Sequence, residues 1–424
     1  LRDAASFIQE CRNELSEYRT VESTKELVKG VGAHLSANAK GLWKWISRKT
    51  GRSERDMCIC VYSSDDGSVE TDERGILEEW RKRFSIHEHA SLWSEGQLVW
   101  MGHVMWWKAL SCCFGKVQVA SDVTWDEICV AVRSCKKGTA CGVDGIPIEA
   151  FHVILERAPR HQRGCSAFLY DAINASLVSG VSEEMNTSIV VPVYKGGDRL
   201  RTESYRGIHM MNSFLRIVCK IVATRFRSVL DNSTFLLRGF GGFGPRERSV
   251  NQVMVLSETL SGWMKDGSVC YACFLNYKDA FDSVNQTLLQ QLLQKAHVPA
   301  CIALFVRQLY FNPSFRVRVN GCLQQAVPFR RGLRQGCPLS PVLFVFYMTH
   351  LLHFLDTDSI AKDRLHYLFT GDTLCLYSTS ESDMRNALRL LSDRNMVFQM
   401  RANMEKSASM VVFKEGSVSD SRVK

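Results

Sequence analysis

The spacing of apolar and polar residues changes several times along the chain, and each change predicts an element. Val269-Cys-Tyr-Ala-Cys-Phe-Leu-Asn276 is a short, near-continuous apolar run, the pattern of a buried strand, and it stops at the polar Asn276-Tyr-Lys-Asp279. Leu288, Leu289, Leu292 and Leu293 then recur at helical spacing, which predicts a helix starting near Ala280 or slightly later. Leu365 to Tyr377 reads as two short strands folded about Thr370-Gly-Asp372, because Gly and Asp are turn formers. Ser380-Glu-Ser-Asp383 matches a capping box and opens a further helix with Met384, Ala387, Leu388 and Leu391 inward. Upstream, Ser188 to Lys195 predicts a strand of branched residues ending in a basic glycine loop, Lys195-Gly-Gly-Asp198. Tyr205-Arg-Gly-Ile208 then introduces a helical stretch with Leu215, Val218, Ile221 and Val222 on one side. Strand, helix, hairpin and helix in this order predict an α+β fold, an antiparallel sheet with helices on one face.

Residues 1 to about 135 predict a mostly helical extension. Lys40 to Ile46 and Gly75 to Phe84 carry apolar residues at three- and four-residue steps, and Ser63 to Gly67 is a turn. From Cys135 onward the texture changes, beginning with a glycine-rich loop from Lys136 to Ile146. Two domains are therefore expected, 1–135 and 136–424.

Composition narrows the class. Of 424 residues, 46% are hydrophobic and 23% charged, the balance of a soluble globular chain rather than a disordered or collagen-like one. Pro341 to Leu355, the longest apolar candidate for a membrane span, is interrupted by Tyr347, Thr349, His350 and His353, so a buried helix is expected and no membrane partner. The chain starts at Leu1 without an initiator Met or an apolar signal core, which reads as a fragment of a longer, non-secreted protein of the nucleus or cytoplasm. Sixteen cysteines are scattered, and only Cys270 and Cys273 form a CxxC, inside an apolar run where thiols pack as small hydrophobes. Reduced, buried thiols agree with an intracellular location.

Charge points at a polymer. The net charge is +9, and Lys195 to Val250 holds eleven Lys or Arg against four Asp or Glu. Arg316, Arg318, Arg330, Arg331 and Arg334 form a second stretch with no acid among them. Basic segments of this kind suit a groove that tracks phosphates.

The chemistry-bearing blocks resemble the reverse transcriptases of non-LTR (LINE-like) retrotransposons. Phe274-Leu-Asn-Tyr-Lys-Asp-Ala-Phe-Asp-Ser-Val284 is similar to that family's F-L-D-x-x-x-A-F-D-x-V, and Arg334-Gln-Gly-Cys-Pro-Leu-Ser-Pro-Val-Leu-Phe344 to its Q-G-x-x-L-S-P-x-L-F. Lys136 to Ile146, Val191 to Lys195, Tyr205 to Ile208 and Phe369-Thr-Gly-Asp372 resemble the remaining blocks in the right order, and Lys406 lies where a later lysine is expected. Cys141 and Gly207 stand where the family has Pro, and Lys406-Ser407 where it has Lys-Thr.

The resemblance implies right-hand polymerase fingers and palm after the helical extension, with the thumb largely absent. It implies an RNA template with a DNA primer, or an RNA–DNA hybrid, as partner, and a dNTP if the chain is active. It also implies Mg²⁺ held by carboxylates, one at the end of the first palm strand and one or two at the hairpin tip. Those positions are Asn276, Gly371 and Asp372 here, so two of three carboxylates are missing and Asp372 is the one metal ligand left. Asp279 and Asp282 are near in sequence but lie past the strand end. By the same resemblance Lys195 and Arg206 meet the incoming triphosphate, Phe281 excludes a ribose 2′-hydroxyl, and Gln335 and Gly336 lie against the templating pair. The five arginines from Arg316 to Arg334 then line the nucleic-acid groove. The expectation is a template–primer-binding domain that has lost polymerisation. The alternatives are an active RNA-directed DNA polymerase and a non-catalytic scaffold retained for binding.

Overall fold

A computed structural model describes residues 61–65, 67–85, 119–120, 122–157, 164–233, 240–241, 249–353, 355, 365–413 and 419–421. Lys40 to Ile46 and most of the expected helical extension lie outside the described residues. The elements run β1 (Val61–Tyr62), β2 (Val69–Glu70), α1 (Glu73–Ser85), α2 (Trp125–Arg133), α3 (Ile148–Arg157), α4 (Cys165–Ser179), α5 (Glu183–Asn186), β3 (Thr187–Tyr194) and β4 (Tyr205–Met210). Then follow α6 (Ser213–Asp231), β5 (Phe240–Gly241), α7 (Ser249–Lys265), β6 (Cys270–Asn276), α8 (Gln286–Lys295), α9 (Ala300–Leu309), β7 (Ser314–Val319), β8 (Cys322–Leu323) and β9 (Val327–Pro328). The chain closes with α10 (Ser340–Leu352), β10 (Leu365–Thr370), β11 (Thr373–Ser378), α11 (Glu381–Phe398), β12 (Ala408–Val412) and β13 (Ser419–Ser421). Two compact units interleave along the sequence: Leu1–Ser85, Asp122–Ile221 and Pro313–Pro328 form one, and Ile86–Ser121, Val222–Asn312 and Phe329–Lys424 the other.

The first unit holds a five-stranded sheet ordered β4-β3-β7-β8, with β9 on β7. β3 and β4 are antiparallel with Val193 opposite Arg206, whereas β3 and β7 are parallel, joined also by a 2.8 Å hydroxyl contact between Thr187 and Ser314. The helical stretch expected to carry Leu215, Val218, Ile221 and Val222 is α6, which starts at Ser213, and the Tyr205–Ile208 segment that introduces it is a strand. Six residues with a glycine at their centre carry too little periodicity to announce a strand, and pairing with β3 decides the outcome. Trp80 of α1 is fully buried, edge-on to Tyr205 with ring centroids 4.9 Å apart. The expected loop at 136–146 is present, clamped by Arg216, whose guanidinium donates to Thr139 Oγ1 at 2.9 Å and to the Ala140 carbonyl at 3.0 Å.

The second unit is built on a six-stranded sheet, β13-β12-β6-β11-β10-β5, antiparallel except where β5 meets β10. Side chains alternate across it. On one face Phe369 meets Phe344 of α10 at 6.3 Å; on the other Trp263 of α7 packs against His366 and Tyr377, at 5.3 and 5.7 Å. A helix therefore lies across the second face as well. Every residue of α10 from Val342 to Leu352 is buried, as a core helix without an amphipathic stripe must be. α8 begins at Gln286, later than Ala280, because Asp279 sits at φ 45° and breaks helical propagation, and Asn285 then caps the helix by accepting from Leu288 N at 2.9 Å. Cys270 and Cys273 sit three apart on β6 and so face opposite sides of the sheet, and burial pushes both thiols up. The CxxC is packing, not a chelate. No helix among the described residues is long and apolar enough to cross a membrane.

Candidate functional site

The strand end and the hairpin tip meet as their register dictates. Asn276 is the last residue of β6 and pairs with Thr373, the first of β11, while Thr370 and Thr373 close the hairpin around Gly371 and Asp372. Gly371 has φ +61° and Asp372 a negative φ, the pattern of a two-residue type II′ turn, whose first central position favours glycine. The Tyr277 N–H donates to the Asp372 carbonyl at 2.8 Å, and the Asn403 N–H donates to the Asn276 carbonyl. Asn276 N in turn donates to Ser407 Oγ at 3.2 Å. The backbone beneath the tip is thus held from both sides.

The side chains at the tip form a chain of hydrogen bonds. Asn276 Nδ2 donates to Thr373 Oγ1 at 3.1 Å, and Thr373 Oγ1 donates to Asp372 Oδ1 at 3.2 Å. A magnesium ion asks for several hard, anionic oxygens. The tip presents one carboxylate, an amide turned so that its nitrogen faces Thr373, and a glycine. Among the described residues no three His, Cys, Asp or Glu side chains converge. Asp282 is engaged elsewhere: Gln335 Nε2 donates to both its oxygens, at 3.0 and 2.9 Å. Asp279 lies in the turn, its carbonyl accepting from Ser283 N at 2.8 Å. The residues present do not fit a magnesium site.

Around the tip, the two blocks expected near the nucleotide are pinned to each other. Leu333 N donates to the Phe281 carbonyl and Gly332 N to the Val284 carbonyl, both at 2.8 Å. Phe281 is half-buried and stacks on Phe344 with centroids 4.5 Å apart and planes 16° from parallel. Gln335 is half-buried beside Asp282, and Gly336 is exposed. Sequence reasoning missed Asp282 as the partner of Gln335 and Thr373 as the link in the tip; the second Asp of the A-F-D block was the available signal for the first.

The arginine stretch divides between the two units. Arg316 and Arg318 alternate with buried Phe315, Val317 and Val319 on β7 of the first unit, and Arg316 Nε donates to the Gln324 carbonyl at 2.8 Å. Arg330, Arg331 and Arg334 belong to the second unit. Arg330 is exposed, but Arg331 spends its donors on the Ser283 and Gln399 carbonyls at 3.0 to 3.2 Å, and burial lowers its pKa. Arg334 is 0% exposed and so takes no part in a surface groove in this structure. The contiguous run mixes surface cations with internal braces, a distinction that side-chain burial makes and charge counting does not.

Lys195 and Arg206 are both exposed in the first unit. The β3–β4 ladder continues through Lys195 N to the Ser204 carbonyl at 2.9 Å, so with Val193 opposite Arg206 the two cations are diagonal neighbours on one face of the hairpin.

An antiparallel sheet that brings a strand end and a two-residue hairpin tip together, with a Q-G block in the turn before α10 pinned beside them, has the architecture of a polymerase palm. Residues 193–421, more than half of the chain, match the family model described as reverse transcriptase (RNA-dependent DNA polymerase), and the chain belongs to that family. It is similar to a Pol polyprotein of the type-1 retrotransposable element R2 from Popillia japonica, 23% identical over 305 residues that cover 70% of this chain and 41% of the relative. It is also similar to a probable RNA-directed DNA polymerase from transposon BS of Drosophila melanogaster, 24% identical over 60% of this chain and 28% of the relative. The chain thus spans less than half the length of these relatives. Among solved structures, apo telomerase from Candida tropicalis aligns with a TM-score of 0.42 at 11% identity, covering 60% of this chain and 56% of the other. The α+β fold is that of the reverse-transcriptase family, and the domain is of the kind that non-LTR retrotransposons carry.

Proposed function

We propose that this chain binds primed template nucleic acid through backbone phosphates and does not polymerise. The carrying observation is the tip itself: Asn276 and Gly371 replace carboxylates, and the Asn276 amide is tied to Thr373 rather than open to a cation. Removing one charge-bearing transition-state group costs on the order of 10²–10³ in rate, and here the metal set that such groups would build is incomplete. Exposed Lys195, Arg206 and Arg330 support phosphate binding, as does the +9 net charge. An RNA template with a DNA primer, or the hybrid duplex, is the partner to which the family membership points.

Primer extension on an RNA template with Mg²⁺, run beside the Asn276→Asp/Gly371→Asp variant, tests the catalytic half. The unaltered chain is expected to give no product and the variant to gain some; robust synthesis by the unaltered chain refutes the reading. Affinity for primed template should fall steeply between low and moderate salt, and a salt-independent affinity removes the phosphate-binding half.

A further inference from the structure

The tip has lost ligands, and it has also acquired a hydrogen-bond direction. An amide nitrogen can only donate, so with Asn276 Nδ2 on Thr373 Oγ1, 3.1 Å away, the hydroxyl must accept there. Its single hydrogen is then committed to Asp372 Oδ1 at 3.2 Å. Three side chains therefore satisfy one another in one order, amide to hydroxyl to carboxylate, across the β6–β11 pairing and into the hairpin. The amide orientation follows from that partner set: a flipped Asn276 would put its oxygen on Thr373 and compete with Asp372 for one hydrogen. The Asn276 side-chain Oδ1, the amide atom able to ligate a cation, is thereby turned away from Thr373.

We propose that Thr373 is the residue that locks Asn276 and Asp372 into a metal-free hydrogen-bonded relay, and that changing Asn276 alone converts the relay into a divalent-cation site. This rests on the reading above that the tip is not a working polymerase centre. With Asp at 276, two carboxylates flank one hydroxyl that carries one hydrogen. One carboxylate is left without a donor, next to a like charge, and a cation relieves both deficits. Gly371 needs no change for this step, because its position supplies only turn geometry.

The measurement is the thermal midpoint with and without Mn²⁺, which reads binding without any activity. The unaltered chain should not shift, whereas Asn276→Asp should melt lower without the ion and rise by roughly 5 °C with Mn²⁺ well above its dissociation constant. Asn276→Asp/Asp372→Asn should lose that response. An equal Mn²⁺ shift in the unaltered chain, or none in Asn276→Asp, overturns the proposal. A second pair needs no metal: Thr373→Ser keeps the hydroxyl and should melt like the parent, while Thr373→Val should melt lower. Equal midpoints for Ser and Val overturn the lock. Failure of the Mn²⁺ and Thr373 tests with extension still absent leaves the inactive reading standing. Extension by the unaltered chain sinks that reading by itself.

Discussion

At position 276 one heavy atom separates the residue present from the one the resemblance implies, and the two have the same shape. Their hydrogen-bonding is opposite on that atom: a carboxylate oxygen accepts, whereas the amide nitrogen donates to Thr373. At position 371 the difference is backbone. Gly371 takes φ +61°, and a Cβ built there meets nothing within 4 Å, so a side chain has room but sits in a left-handed conformation. Gly371→Asp is accordingly expected to fold and to cost about 1–3 kcal/mol, because the first central position of this turn favours glycine. Gly371→Val should cost more, its branched Cβ being poorly suited to positive φ. Denaturant midpoints of the two variants check the order; Val at or above Asp would mean that the turn relaxes out of the left-handed region.

Among the elements, those with several periods of pattern could be read directly. The β10–β11 hairpin was visible because two apolar runs flank Gly371-Asp372, and α10 because its apolar run is long enough for a helix with no polar face. β4 was not, since its strand character comes from pairing with β3 rather than from its own six residues. The capping box that opens α2 carries its motif in the sequence as Thr124-Trp-Asp-Glu127 but went unread: Thr124 Oγ1 accepts from Glu127 N, and Glu127 Oε2 accepts from Thr124 N. At Ser380 the expected capping box is only half formed: the side chain accepts from Asp383 N at 3.2 Å, but Ser380 N donates to Ser378 Oγ at 3.0 Å, not to Asp383. The same pairing explains Gly207, which replaces the family's Pro. A Cβ at 207 would lie 2.5 Å from Phe84 Cε1 and 3.0 Å from Val190 Cγ1, so β4 passes too close to α1 and β3 for a side chain. Gly207→Ala is expected to destabilise by about 1–3 kcal/mol. Trimming the neighbour in Gly207→Ala/Phe84→Leu should recover part of the loss; additive losses in that double variant would place the strain elsewhere.

Over the whole molecule, the order of blocks along the chain identified the family, but the division into units could not be seen in that order. Arg316 to Arg334 is one basic stretch in sequence, yet its residues belong to both units, because the chain leaves the second unit for Pro313–Pro328 and returns. Composition likewise hides buried titratable groups that couple stability to pH. His350 on α10 is 1% exposed, its Nδ1 lies 2.9 Å from the Phe346 carbonyl, and its ring is edge-on to Phe346 at 4.4 Å. Burial, assisted by nearby His353, holds its pKa down to about 3 from an ordinary 6.5. The folded form therefore keeps the ring neutral while the unfolded chain protonates it below pH 6.5, so the unfolded state binds the extra proton throughout that window. Stability is full above pH 6.5 and declines as the pH falls toward 3, with a slope approaching about 1.4 kcal/mol per pH unit from this one group. Between pH 6.5 and 5 exposed carboxylates remain largely ionised, so the histidine contribution is separable there. Denaturant unfolding of the parent at these two pH values should show the loss, and His350→Leu, which cannot titrate, should show a flatter dependence. An equal slope in both proteins would mean that His350 reaches water in the native state and titrates there as it does in the unfolded chain.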